Sequence, residues 1–112
     1  MGAALRGGSG RIHAGCNVEN AAYPVGTCAE QGAIAAMIAG GDTVIAEALV
    51  LAEAPEPVTP CGACRQRLAE FAGADLPVHA ADLSGVRATH RLGALLPHGF
   101  GPGMLGEKFK QE

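Results

Sequence analysis

The residues with the most chemistry to offer are cysteines. Cys61 and Cys64 form a C-x-x-C within T-P-C-G-A-C-R-Q, residues 59–66, and Cys28 sits in T-C-A-E, residues 27–30, two positions before Glu30. A C-x-x-C by itself fits a redox couple, half of a structural zinc knot, or part of an open metal site. A redox couple would follow an early strand, usually behind an aromatic residue; this pair lies past mid-chain behind Pro60. A closed knot needs a fourth thiol, and Cys16 is the remaining candidate, but such knots usually show two C-x-x-C-type pairs. Cys16 reads instead as a small buried side chain. Thiolates from Cys28, Cys61 and Cys64 would leave the fourth tetrahedral position of one Zn²⁺ open to water, which marks a catalytic rather than a structural site. Zinc brings the pKa of such a water toward neutrality. Glu30 is then placed to take its proton and pass it on.

That chemistry needs two helix starts side by side, because the electropositive N-terminus of a helix favours a thiolate. The pattern supplies them. Residues 28–39 and 62–72 have helical composition, and each follows a turn-rich or proline-punctuated stretch. Thr27 is expected to cap the first helix, with Glu30 at the capping-box spacing. Gly40-Gly41-Asp42 and Gly73 end the two helices. Residues 3–6 and 11–18 read as a hairpin around Gly7-Gly8-Ser9-Gly10. Residues 43–53 and 77–83 read as buried strands, 86–91 as a further short strand, 92–96 as a helical turn, and 97–112 as an irregular tail. Helices alternating with strands predict an α/β layered sandwich, a mixed central sheet of about five strands flanked by helices. No repeat or linker interrupts the chain, so residues 1–112 are expected to be a single domain.

Composition narrows the partners. The net charge is −3 and there is no run of Lys or Arg. Counterion release would need a basic stripe, so a nucleic-acid substrate is not expected. No apolar run is long enough to span a membrane, and the Gly-rich start M-G-A-A-L-R-G-G-S-G does not read as a secretory signal. A cytoplasmic location is the resulting expectation, with thiols used as metal ligands rather than disulfides. Hydrophobic residues make up 48% and aromatics 4%, so the core must be built from small and aliphatic side chains. His13, His79, His90 and His98 show no ligand spacing and read as surface or strand residues.

C-A-E followed by P-C-x-x-C around one zinc is the deaminase pattern. Together G-C-N-V-E-N-A-A-Y-P, T-C-A-E, P-C-G-A-C-R-Q and L-L-P-H-G-F-G-P resemble the small homotetrameric zinc-dependent cytidine deaminases, from Gly2 to about Leu105. The resemblance implies one zinc per subunit on Cys28, Cys61 and Cys64, with Glu30 as proton shuttle. It further implies that Asn17 and Glu19 bind the ribose and that the Ala29 backbone N–H holds the pyrimidine carbonyl. Ala21 and Tyr23 would reach a neighbouring subunit's substrate, and Phe100 would stack on the base from an adjacent subunit. The implied activity is hydrolysis of cytidine and deoxycytidine to uridine and deoxyuridine, in pyrimidine salvage.

Two departures stand out. The family commonly carries Arg after the C-A-E glutamate, where it hydrogen-bonds the zinc thiolates; this chain has Gln31, whose amide is expected to take over that outer hydrogen bond. The family also places a helix and a P-Y-S-x-F segment before the first strand. This chain opens on M-G-A-A-L, which is expected to make it N-terminally short, without that helix, and to bare one sheet face. A blasticidin-S-type deaminase shares C-A-E and P-C-x-x-C, but Asn17, Glu19, Tyr23 and Phe100 favour a nucleoside. A shortened, inactive zinc-binding subunit is the remaining alternative.

Overall fold

The computed structural model describes residues 1–105. Five strands form one sheet: β1 (Gly2–Gly7), β2 (Ile12–Cys16), β3 (Ile45–Leu51), β4 (Pro77–Asp82) and β5 (Gly85–Arg91). Their order is β2-β1-β3-β4-β5. The β3–β4 pair is parallel and the other pairs are antiparallel, so the sheet is mixed as expected. Helix α1 (Ala29–Ala39) connects β2 to β3, α2 (Gly62–Phe71) makes the parallel crossover from β3 to β4, and the short α3 (Leu92–Leu95) follows β5. A 3-10 turn at Pro102–Met104 lies in the stretch read as irregular tail, and the remainder of that tail lies outside the described residues.

Side chains alternate across the strands, and one face of the sheet takes the helices. Ala3, Leu5, Ala48 and Val78 from the sheet are buried against Ala29, Ala33 and Met37 of α1 and Leu68 of α2. The three α1 residues recur every fourth position, so they share one stripe of the helix. Because that stripe is mostly alanine, α1 lies close to the sheet. Gly15 of β2 is what makes the approach possible: a Cβ there would stand 2.3 Å from the Ala33 backbone nitrogen and 2.6 Å from the Ala29 carbonyl. The helix ends at Gly40 and at Gly41, whose φ of 96° is left-handed, a conformation glycine adopts at no steric cost.

The opposite sheet face carries half-buried Ala4 and Leu49, exposed Ile12, and a shallow depression of about 160 Å³. Among the described residues no helix covers it. There Arg6 and His79 both bond Glu47 (3.2 and 2.6 Å), and His79 also bonds Thr89. These bonds hold the Glu47 carboxyl below its ordinary value, the His79 bond contributing most. His79 is therefore a strand residue, as its sequence context suggested.

Three local readings change. β3 is shorter than residues 43–53, because ladder pairing with β1 ends at the Gly7–Ile45 pair beside a bulge. Cys16 is exposed, not buried: Gly15 takes the inward position in β2, so the next side chain points to the uncovered face. Thr27 does not cap α1. The cap position is Cys28, without a side-chain cap bond, because the Thr27 backbone is engaged in a two-way bridge with Val18 (2.9 Å each way).

Candidate metal centre

The bridge between Val18 and Thr27 organises the site. It folds residues 19–26 into a loop, places Asn17 and Glu19 on either side of Val18, and delivers Cys28 to the start of α1. Asn17 donates to Glu19 (2.9 Å) and accepts from the Met1 amino group (3.0 Å). Asn20 closes the loop by accepting from the Ala22 backbone (2.8 Å).

The second helix start is fixed by a residue that reads, in sequence, as an ordinary surface charge. Arg65 donates to the Pro60 carbonyl (2.7 Å), the Leu95 carbonyl (2.8 Å) and the Thr59 hydroxyl (2.9 Å). One guanidinium thus ties the proline loop, α2 and α3 together, and Cys61 is held at the cap position of α2. Nothing in the sequence reveals this, since the carbonyl partners carry no side-chain signal.

With both helix starts in place, the sulfurs of Cys28, Cys61 and Cys64 lie within 4.8 Å of one another. Sulfurs bound to one tetrahedral zinc at about 2.3 Å would stand roughly 3.8 Å apart, so small side-chain rotations suffice. The donor set fits zinc: three soft thiols, two of them at electropositive helix starts. The environments differ. The Cys64 backbone N–H, above all, lowers the Cys61 pKa, with smaller help from the neighbouring thiols and the Ala63 N–H. Burial pushes the Cys64 thiol far up, and the nearby Glu30 charge and the Cys28 sulfur add to it. Glu30 itself is only 3% exposed.

A cleft of about 320 Å³ opens on this centre and brings Asn17, Glu19 and Tyr23 together with Ala29, Glu30, Cys28 and Cys61. Its size is that of a small-molecule site. Ala21 and Phe100 are not part of it. Phe100 is exposed and lies with Leu96 and Ala72 in a separate depression, its carbonyl accepting from Gln66 (2.6 Å). Gln31 is not in the cleft either. It lines the groove between α1 and α2, and among the described residues the side-chain nitrogen donating to a site sulfur belongs to Arg67 (3.4 Å to Cys64). The outer hydrogen bond expected of Gln31 is therefore made from the other helix.

Three convergent thiols leaving one coordination position, with a buried carboxylate beside them, define a metal centre built for hydrolysis. The comparisons give that class a family. Residues 1–80 match the zinc-binding region of cytidine and deoxycytidylate deaminases. A cytidine deaminase of Sporosarcina psychrophila is 40% identical over 100 residues, covering 89% of this chain and 74% of that protein. The crystal structure of cytidine deaminase from Burkholderia pseudomallei superposes with a TM-score of 0.80 at 39% identity, over 88% of this chain and 80% of that one. That of Mycobacterium tuberculosis gives 0.75 at 36%, over 89% and 77%. The chain belongs to the cytidine and deoxycytidylate deaminase family.

Proposed function

We propose that this protein hydrolyses the exocyclic amine of cytidine and deoxycytidine, releasing ammonia and uridine or deoxyuridine, as a pyrimidine-salvage enzyme of the cytoplasm. The observation that carries the reading is the shared cleft: a three-thiol metal site and a buried Glu30 at one end, and an amide–carboxylate pair suited to sugar hydroxyls at the other. Family membership and the relatives named cytidine deaminase support the same reaction.

Cys28, Cys61 and Cys64 would hold one zinc per subunit, which when bound would supply Lewis acidity toward a water near neutral pH. The chain's own groups do the rest. Glu30, kept from bulk solvent, carries one proton of the attacking water to the ring nitrogen, where it stays, and the second from the new hydroxyl to the departing amine, which leaves as ammonia. The Ala29 backbone N–H, free at the first turn of α1, offers a donor to the pyrimidine carbonyl. Asn17 and Glu19 orient the ribose by hydrogen bonds, and that orientation converts binding energy into rate.

The working unit we propose is a single 1–112 domain in a homotetramer. Phe100 is 55% exposed and does not reach the cleft of its own chain, so its ring needs a partner surface, which a neighbouring subunit's substrate would supply. Tyr23 lines the cleft of its own chain but is 89% exposed, which leaves most of its ring free to meet a neighbouring subunit as well. A nucleic acid or membrane partner forms no part of the proposal. Among the described residues no helix is long and apolar enough to cross a membrane.

The test is parallel ammonia release from cytidine, deoxycytidine and blasticidin S by the zinc-loaded protein, with light scattering for mass. The proposal expects both nucleosides to be turned over and a tetrameric mass. Preference for blasticidin S would overturn the substrate assignment, and an active monomer would overturn the composite site.

A further inference from the structure

Resting on the zinc-site reading above, we propose that Arg67 is a positioning residue of the metal centre: its guanidinium supplies the positive charge that steadies the Cys64 sulfur, a charge that the Gln31 amide lacks. Three thiolates and a divalent ion leave a net charge of about −1 by formal count, and Glu30 adds a carboxylate beside them. Helix N-termini contribute only about half a positive charge each. A full cation near the sulfurs is therefore worth having, and Arg67 Nη1 stands 3.4 Å from Cys64 Sγ.

Three further observations favour this over an incidental contact. Arg67 follows Cys64 by three positions on α2, where a helix itself brings side chains together. Cys64 is fully buried, so water is not at hand to solvate its sulfur. Among the described residues the charge of Arg67 is also not paired elsewhere. Arg6, Arg87 and Arg91 each pair with a carboxylate, whereas among the described residues no carboxylate lies within salt-bridge distance of Arg67. Gln31 lines the same groove between α1 and α2 as Arg67. An arginine at position 31 would therefore approach the region that Arg67 now occupies, and the two positions are alternative seats for one charge.

The experiment measures zinc affinity of the full chain by chelator competition, with the thiolate-to-metal absorption of the cobalt-substituted protein as a second readout. Neither depends on substrate. Arg67→Met is expected to weaken zinc binding about 10–100-fold, the usual effect of losing an outer partner of a metal ligand, and to shift the cobalt band. Arg67→Lys, and Gln31→Arg placed in the Arg67→Met background, are expected to recover most of the loss. Affinity of Arg67→Met within about twofold of the parent overturns the proposal. So does a loss that Gln31→Arg leaves unrepaired and that comes with equal destabilisation of the metal-free fold, since that is a packing role. Cys64→Ala is the separate control. Unchanged zinc affinity in that variant would refute the ligand assignment itself.

Discussion

Gly15→Ala should damage the metal centre without touching a ligand. The new Cβ would stand 2.3 Å from the Ala33 nitrogen, 2.6 Å from the Ala29 carbonyl and 2.7 Å from the Gly32 carbonyl carbon. All three are backbone atoms, so no side chain can rotate away. Restoring ordinary contact requires α1 to move about 1 Å off β2, against a closely packed core. Overpacking of this kind costs about 1–3 kcal/mol, which for a domain of this size lowers Tm by roughly 5–15 °C. The displaced turn begins with Cys28 and carries Glu30, and a shift of about 1 Å at reacting groups can cost on the order of 100-fold in rate. The assay is thermal denaturation, zinc competition and kcat/KM on one preparation. Gly32→Ala is the matched control. Its Cβ would meet nothing closer than 3.4 Å, and exchanging glycine for alanine within a helix favours folding by up to about 1 kcal/mol. The control should equal or exceed the parent in Tm. If Gly15→Ala melts and binds zinc like Gly32→Ala, the close approach of α1 to β2 does not position the site.

Other expectations follow from the same geometry. Glu30→Gln should keep zinc and Tm but lose turnover by about 10²–10⁴-fold; near-normal turnover with zinc bound would remove Glu30 as proton carrier. Cys61→Ala should lose zinc and melt lower, because metal binding is coupled to folding, and full zinc occupancy in that variant would refute the ligand set. Phe100→Ala should raise KM and leave zinc content and Tm unchanged, as befits an exposed ring whose proposed partner is the substrate of a neighbouring subunit. Acid stability should track Asp42, which His13 Nε2 meets at 2.8 Å and the Ser9 hydroxyl at 2.7 Å. The His13 bond, then that of Ser9, holds its carboxyl below the usual 3.8. A depressed carboxylate stabilises the fold fully above its unfolded pKa, and the contribution is lost as pH falls through the folded value. Asp42→Asn should therefore be less stable at neutral pH and show a flatter decline in urea midpoint below about pH 4; an unchanged acid limb would show that the cluster does not contribute.

What could be read from the sequence was what local pattern dictates. The two helix starts carrying Cys28 and Cys61 follow from turn residues and helical composition, and their meeting follows from strands alternating with helices. The strand phase of β2 is not legible in the sequence: whether Gly15 or Cys16 faces α1 depends on which neighbour the helix can approach, and the expectation of a buried Cys16 fails for that reason. Thr27 has the composition of a cap, but its backbone is committed to Val18, a pairing that arises only once the loop between them closes. Arg65 and Arg67 are the site residues least legible in the sequence. A charged residue on a helix ordinarily marks a solvated face, and nothing in R-Q-R indicates that one guanidinium clamps three segments while the other meets a buried sulfur. Phe100 is legible as a residue lacking a partner, but the partner it is proposed to meet belongs to another chain.

The most direct test of the central claim is the loss of cytidine ultraviolet absorbance on incubation with the zinc-loaded protein, beside its Glu30→Gln variant. The account predicts conversion to uridine with stoichiometric ammonia by the parent, and a variant that binds zinc equally yet is slower by orders of magnitude. A parent that holds one zinc per chain as a folded protein and converts neither cytidine nor deoxycytidine would contradict it.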